Sequence, residues 1–243
     1  MPKLTIVIPA KNEEKHLPKL LENISRQTFK DFEIIVADAA SGDRTREVAL
    51  AYGAKVVEGG MPGPGRNRGA EHAEGDTILF LDADVALFSE EFLDVCLDEM
   101  EERQLNIATC RVKPVSRKPI DLALHEAYNA YAIATEKIRP HAPGFCIFVK
   151  KDTHRDIDGF DEEVVFAEDH DYVQRAAKKG FQFGVLRSRP IGVSVRRLDK
   201  DGRLNVALKY VYSEFHMLAK GTFKNGMPFS YEMGGDENEE EVY

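Results

Sequence analysis

"GDTILFLDADVALF", Gly75 to Phe88, sets the most hydrophobic run of the chain against two carboxylates. Ile78, Leu79, Phe80 and Leu81 suit a strand buried on both faces. Asp82-Ala83-Asp84 then interrupts the run before Val85, Ala86, Leu87 and Phe88 resume it. In extended backbone, residues i and i+2 point the same way, so Asp82 and Asp84 face one site together. Two like charges held close repel unless something positive sits between them.

Outward from this stretch, strands and helices alternate. "LTIVIPA" (Leu4–Ala10) reads as the first strand, and Leu17, Leu20, Leu21 and Ile24 recur at helical spacing with Pro18 near the helix start. "FEIIVAD" is the second strand and ends on Asp38. "SGDRT" leads into a short helix from about Thr45 to Tyr52. "AKVVEG" is a third strand, "GGMPGPG" a loop, and Arg66 to Ala73 a helix before the Thr77–Leu81 strand. This alternation predicts an α/β fold with a mostly parallel, Rossmann-like sheet flanked by helices. Ligands of such sheets gather beyond the carboxyl ends of the strands. There stand Pro9-Ala10-Lys11-Asn12-Glu13, Asp38, and Asp82 with Asp84.

The second half is mixed. A helix from Pro119 to about Ile138 carries Ile120, Leu124, Tyr128, Tyr131 and Ile138 on one face. "GFCIFVKK" is a strand, and "GFDEEVVFAEDHDYVQRAAKKG" ends in a helix stopped by Gly180. Two short strands, "FQFGVL" and "IGVSVRR", follow. A C-terminal amphipathic helix is outlined by Leu204, Leu208, Val211, Phe215 and Leu218.

At 243 residues the chain suits one large domain. The expected division is a single domain over 1–231, with a nucleotide-sugar-binding half (about 1–104), an acceptor-side half (about 105–200) and a C-terminal helix (about 201–222). Six acids after Tyr231 and no Lys or Arg mark 232–243 as an acidic tail, expected to be disordered. Without them the formal charge of −9 falls to −3, and no basic stripe marks a nucleic-acid footprint. No run of 18 apolar residues predicts a transmembrane helix, and "KLTIVIPA" lacks a signal-peptide layout. Cys96, Cys110 and Cys146, without a CxxC pattern, read as buried reduced thiols of a cytoplasmic protein.

Asp82 and Asp84 are hard oxygen ligands suited to Mg²⁺ or Mn²⁺, with substrate phosphates and water completing the shell. A metal so held neutralises a departing diphosphate. An isolated D-x-D is common by chance, one Asp capping the helix near Ser89 and the other solvated. Its place after a buried strand, opposite other strand-end acids, favours the site.

"TIVIPAKNEE", "FEIIVADAASGDRT", "GPGRNRGAEHAEGDTILFLDADV" and "GFDEEVVFAEDHDYVQRAAKKG" together resemble, in order, the motifs of family 2 glycosyltransferases of GT-A fold, over roughly residues 4–200. The resemblance implies an inverting, metal-dependent transfer from a nucleotide-diphosphate sugar to an acceptor hydroxyl on a glycan, a lipid-linked molecule or a small molecule. It places Pro9, Ala10, Asn12 and Glu13 at the base and ribose, and Asp38 at the nucleobase. Arg66 and Asn67 fall near base and diphosphate, Asp82 and Asp84 at metal and diphosphate. Asp169 becomes the base that takes the acceptor's proton. Ala39 and Val85 depart from the pattern, standing where the family usually has further acids.

On residues alone, the acids of "EDHD" are first-turn helix stabilisers. Like-charge neighbours raise a carboxyl's pKa and the helix N-terminus opposes them. With the resemblance, Glu168 becomes a second-substrate contact and Asp171 a weaker alternative base. Arg196 and Arg197 open the loop "RRLDKDGR" and either close over a diphosphate or stay solvated. His141 and His170 lie near the acceptor side but are more often structural at such positions. "GPGRNRG" also fits a dinucleotide spacing, which belongs after the first strand instead. A sugar-nucleotide nucleotidyltransferase would want a basic glycine-rich loop there, against Asn12-Glu13-Glu14. A catalytically silent nucleotide-binding module stays open. The C-terminal helix, with Lys209 and Lys220 off its stripe, either docks on the domain or touches a membrane peripherally.

Overall fold

The computed structural model describes residues 2–220 and 222–224, with side chains excepted at 197, 204, 207, 210, 211, 214, 215 and 218–220. The acidic segment 232–243 lies outside the described residues. The first half alternates: β1 Leu4–Ala10, α1 Leu17–Ser25, β2 Phe32–Asp38, α2 Thr45–Ala51, β3 Lys55–Glu58, α3 Pro62–Glu71 and β4 Thr77–Leu81. β5 Ala86–Leu87, α4 Phe92–Glu102, β6 Ile107–Pro114 and α5 Pro119–Thr135 follow. Then come β7 Cys146–Lys150, α6 Lys151–Asp156, α7 Glu168–Lys178, β8 Phe183–Val193, α8 Arg196–Asp201 and α9 Arg203–Lys220.

All eight strands form one sheet in the order β3-β2-β1-β4-β7-β6-β8-β5. β1 is parallel to β2 and β4, and β2 to β3. β4 turns its other edge to β7, which runs antiparallel to both β4 and β6. β4 is thus the seam between a parallel half and a mixed half. Every residue of β4 is buried, as the apolar run requires of a strand covered on both faces. Leu79 and Leu81 join the core cluster beneath α1 and α4, and Ile78 and Phe80 join the cluster beneath α7.

Several elements differ from the sequence reading. α3 begins at Pro62 rather than Arg66, with Pro62 and Pro64 in its first turn. There the backbone N–H groups have no intrahelical acceptor, so proline's missing donor costs nothing. "FQFGVL" and "IGVSVRR" belong to the single strand β8, whose pairing with β6 shifts register between Cys110 and Val112. The "RRLDKDGR" loop contains the short helix α8.

The apolar stripe of α5 is split: Tyr128 packs against the core, whereas Ile120 and Tyr131 are exposed and Ile138, beyond the helix end, is 89% exposed. Its buried face carries Asp121, Asn129 and Ala132. Asn129 exchanges hydrogen bonds with the N–H and C=O of Val112, and Asp121 accepts from Arg203 and Ser116. Partnered polar groups can be buried on a helix face where apolar patterning predicts core. On α9, Leu208 of the expected stripe is 59% exposed, while Val206 and Ser213 are buried. The other stripe residues have undescribed side chains. Lys209 pairs with Asp201 at 2.9 Å. No helix among the described residues is long and apolar enough to cross a membrane.

Candidate active site

Arg66 is the centre of the site. It rises from α3 almost fully buried, its Nη2 donating to Asp82 Oδ1 and its Nη1 to Glu168 Oε1, both at 2.9 Å. Its Nε is buried without a hydrogen-bond partner, and its guanidinium carbon lies 5.4 Å from the Phe160 ring centroid. Burial alone would lower the Arg66 pKa, but the charges of Asp82, Glu168 and Asp169 outweigh it and raise it. One cation therefore links the end of β4 to the start of α7.

The carboxylates around it carry more negative charge than Arg66 neutralises. Burial pushes the Asp82 carboxyl up; Arg66 pulls it down and Asp84 and Asp169 push it up again. Although 39% of the Asp82 side chain is open to solvent, it sits at the floor of this acidic cluster. Burial likewise raises Glu168, with Asp169 adding and Arg66 opposing. Asp84 accepts from Arg196 Nη2 at 3.0 Å, while Arg196 Nε donates to Ser194 Oγ. Arg197 follows it in α8.

Asp169 is held by backbone. Its Oδ2 accepts the Gly144 N–H and its Oδ1 the His170 N–H, each at 2.7 Å. Each oxygen keeps a further lone pair. Gly144 does a second thing: a Cβ there would meet Arg66 Nη2 at 2.6 Å, so a side chain at this position would displace the guanidinium. Gly144 was not among the sequence candidates; the only clue was a glycine after Pro143 where a strand opens. Asp171, the alternative base, accepts from Arg175 Nε at 2.6 Å. His141 is buried with its ring 5.2 Å from that of His170 and 5.1 Å from that of Tyr131.

Beyond the ends of β1 and β2, two loops are stitched together. The Asn12 N–H donates to Ser41 Oγ and Asn12 Oδ1 accepts from the Gly42 N–H, both at 2.9 Å. The Glu13 N–H donates to Thr45 Oγ1 at 2.8 Å, and Ala10 C=O accepts from the Ala39 N–H. Asn12 and Ala40 take φ of 56° and 55°, a left-handed conformation that alanine holds only where its surroundings impose it. Asp38 is buried at the end of β2. Its Oδ2 accepts from Arg46 Nη1 and from the Ser41 N–H, and its Oδ1 has no partner. Pro9 packs toward α3, 3.5 Å from where a Gly65 Cβ would stand.

Asn67 does different work from that expected. Its amide accepts from the Phe160 N–H and donates to the Phe160 C=O and to Glu162, so it fastens the segment beneath Arg66 rather than facing a ligand. Among the described residues no group of three or more His, Cys, Asp or Glu side chains comes together as a metal site. Asp82 and Asp84 are thus a two-carboxylate donor set. Each has one oxygen on an arginine, and the excess negative charge at Asp82 is of the kind a hard cation relieves.

A family model described as "Glycosyl transferase family 2" matches residues 5–158. The chain is 37% identical over 110 residues to a 4,4'-diaponeurosporenoate glycosyltransferase of Staphylococcus haemolyticus, covering 42% of this chain and 29% of that protein. It is 25% identical over 217 residues to the poly(ribitol-phosphate) beta-N-acetylglucosaminyltransferase TarS of Staphylococcus aureus, covering 81% and 36%. The chain therefore spans about a third of the length of these curated relatives. Among solved structures, a mannosyltransferase from Pyrobaculum calidifontis in complex with GDP-Man and Mn²⁺ superposes with a TM-score of 0.69. The identity is 20%, over 88% of this chain and 61% of that one, a likeness of fold.

Proposed function

The chain belongs to glycosyl transferase family 2, and we propose that it moves a sugar from a nucleoside-diphosphate donor to an acceptor hydroxyl with inversion at the anomeric carbon. The observation that carries this reading is the double ion pair of Arg66, which makes the acids of β4 and α7 one cluster. The donor base lies between Pro9, Ala10 and Asp38, whose unpartnered Oδ1 can accept a base N–H. Asn12 and Glu13 shape the ribose side. Arg66, with its free Nε–H, and Arg196 face the diphosphate.

The acceptor's hydroxyl oxygen bonds to the anomeric carbon as the bond from that carbon to the diphosphate oxygen breaks. Asp169 takes the hydroxyl proton, and the nucleoside diphosphate leaves. A carboxylate fixed by two backbone N–H groups presents its remaining lone pairs in one direction, as a general base needs. Glu168 contacts the acceptor beside it. Asp82 and Asp84 would hold Mg²⁺ or Mn²⁺, with diphosphate oxygens and water as the other ligands. When bound, such an ion supplies charge neutralisation at the leaving diphosphate. The relatives' names give unlike acceptors, a diaponeurosporenoate and a poly(ribitol-phosphate), so the acceptor is a hydroxyl of unassigned class. A lipid-linked acceptor would bring the protein to a membrane, with the exposed Leu208 and Tyr212 of α9 as contacts.

Calorimetric titration with UDP, GDP, dTDP and CMP, with and without Mn²⁺, tests the donor site. One nucleoside diphosphate is expected to bind, more weakly without metal and in Asp84→Asn. Asp169→Asn is expected to bind that nucleotide unchanged while nucleotide release from its sugar conjugate falls about 10²- to 10⁴-fold. Absence of any nucleotide binding ends this reading.

A further inference from the structure

The chain returns to the site after α9. Phe223 forms an antiparallel bridge with Phe166, and its C=O accepts the Val165 N–H at 2.9 Å. Its buried ring stands edge-on to Phe166 at 5.3 Å and stacks on His216 at 4.0 Å. Lys224 Nζ reaches Asp161 Oδ2 at 2.8 Å and Glu163 Oε2 at 3.0 Å. Three kinds of contact thus grip one stretch, residues 161–166.

That stretch leads directly to the base. Ala167, one residue past the bridge, is left-handed at φ 59°, ψ 35° and starts α7. The next two residues are Glu168, on Arg66, and Asp169, on the Gly144 N–H. An alanine stays in that conformation only where its neighbours over-determine it. From the other side, Arg175 donates to the C=O groups of Ile157 and Gly159, and Asn67 clasps Phe160. The segment is pinned at its start by these two and at its end by residues 223 and 224.

We propose that Phe223 and Lys224 are positioning residues for Asp169: they press 161–166 into the turn that launches α7 and so aim the carboxylate at Gly144 and the acceptor. The inference rests on Asp169 as base. The lysine's ion pairs hold the Asp161 carboxyl below its usual range, as a formed clasp does.

The test compares Phe223→Ala, Phe223→Leu and Lys224→Met with the wild type. Three quantities are read: hydrogen exchange at the Gly144 amide, affinity for the nucleoside diphosphate, and nucleotide release from the donor. Gly144 lies in the turn before β7, outside 161–166, and its N–H reports on Asp169, which accepts it. Phe223→Ala is expected to speed Gly144 exchange about tenfold and slow release about tenfold at unchanged nucleotide affinity. Phe223→Leu is expected to recover most of both, and Lys224→Met, at an accessible side chain, to show the same pattern more weakly. Unchanged Gly144 exchange in both Phe223→Ala and Lys224→Met overturns the proposal. So does a Phe223→Ala protein that loses nucleotide affinity in step with release while Lys224→Met behaves as wild type. The exchange measurement needs no turnover, so a chain that transfers no sugar sinks the functional reading separately.

Discussion

Arg66 bonds two acids from different elements, and the space it needs is set by a residue with no side chain. Gly144→Ala keeps the N–H that Asp169 accepts but places a methyl 2.6 Å from Arg66 Nη2. The guanidinium must move off Asp82 and Glu168. We expect nucleotide release to fall about 100-fold and stability by about 1–3 kcal/mol, read by steady-state kinetics and urea unfolding. Glu168 gives a pH signature. Its folded pKa is raised by burial and by Asp169, against Arg66, so the fold binds this proton more tightly than the unfolded chain does. Its contribution is fully present below the ordinary carboxylate value of 4.5 and is lost as pH rises through the raised value. The wild type is therefore expected to gain stability from this group as pH falls from neutral toward the ordinary value of 4.5. Glu168→Gln should gain less over that range in urea midpoints, and an equal gain sinks the assignment.

The helix that carries Arg66 approaches the sheet closely because of a second glycine. A Cβ on Gly69 would stand 2.2 Å from Val7 Cγ1, so α3 lies against β1 at a distance no alanine allows. Gly69→Ala is expected to cost about 1–3 kcal/mol and, by lifting the helix, to weaken nucleotide binding; unchanged melting and affinity would show that α3 has room. Patterning bounded β1, β2, β3 and β4 nearly as they stand, but it passed over β5, α4 and β6. It did not mark the inward side of α5, which carries buried polar groups that are satisfied: Asp121 by Arg203, Asn129 by the Val112 backbone. Those partners are 82 and 17 residues away, and no local periodicity carries them.

At the scale of the molecule, β4 is the hinge of the design. Its parallel edge brings α3 and Arg66 to Asp82. Across the sheet, β8 carries the chain to Arg196 and so to Asp84. The two aspartates of one strand end thus each meet a cation from a different half of the chain. If Asp84 and Arg196 act on one donor diphosphate, Asp84→Asn and Arg196→Ala should not be additive in nucleotide affinity. A coupling of about 1 kcal/mol is expected from the double-mutant cycle, modest because both side chains are a third exposed. Strict additivity would mean that the pair serves only the fold.

The amino-acid order was enough for the strand and helix order of the parallel half up to β4 and for the sheet edge at which Asp38, Asp82 and Asp84 stand. Those follow from local apolar period and from the rule that strand ends in α/β sheets gather ligands. It also marked Arg66 and Asp169 through motifs in their order along the chain. What these side chains touch came from the packed fold: Arg66 on both Asp82 and Glu168, Asp169 on Gly144, Asp171 on Arg175, Asn67 on Phe160. Only it brought Phe223 back to Phe166. Hydrogen bonds and ion pairs between distant residues depend on how elements dock, and docking is settled by the packing of the whole core.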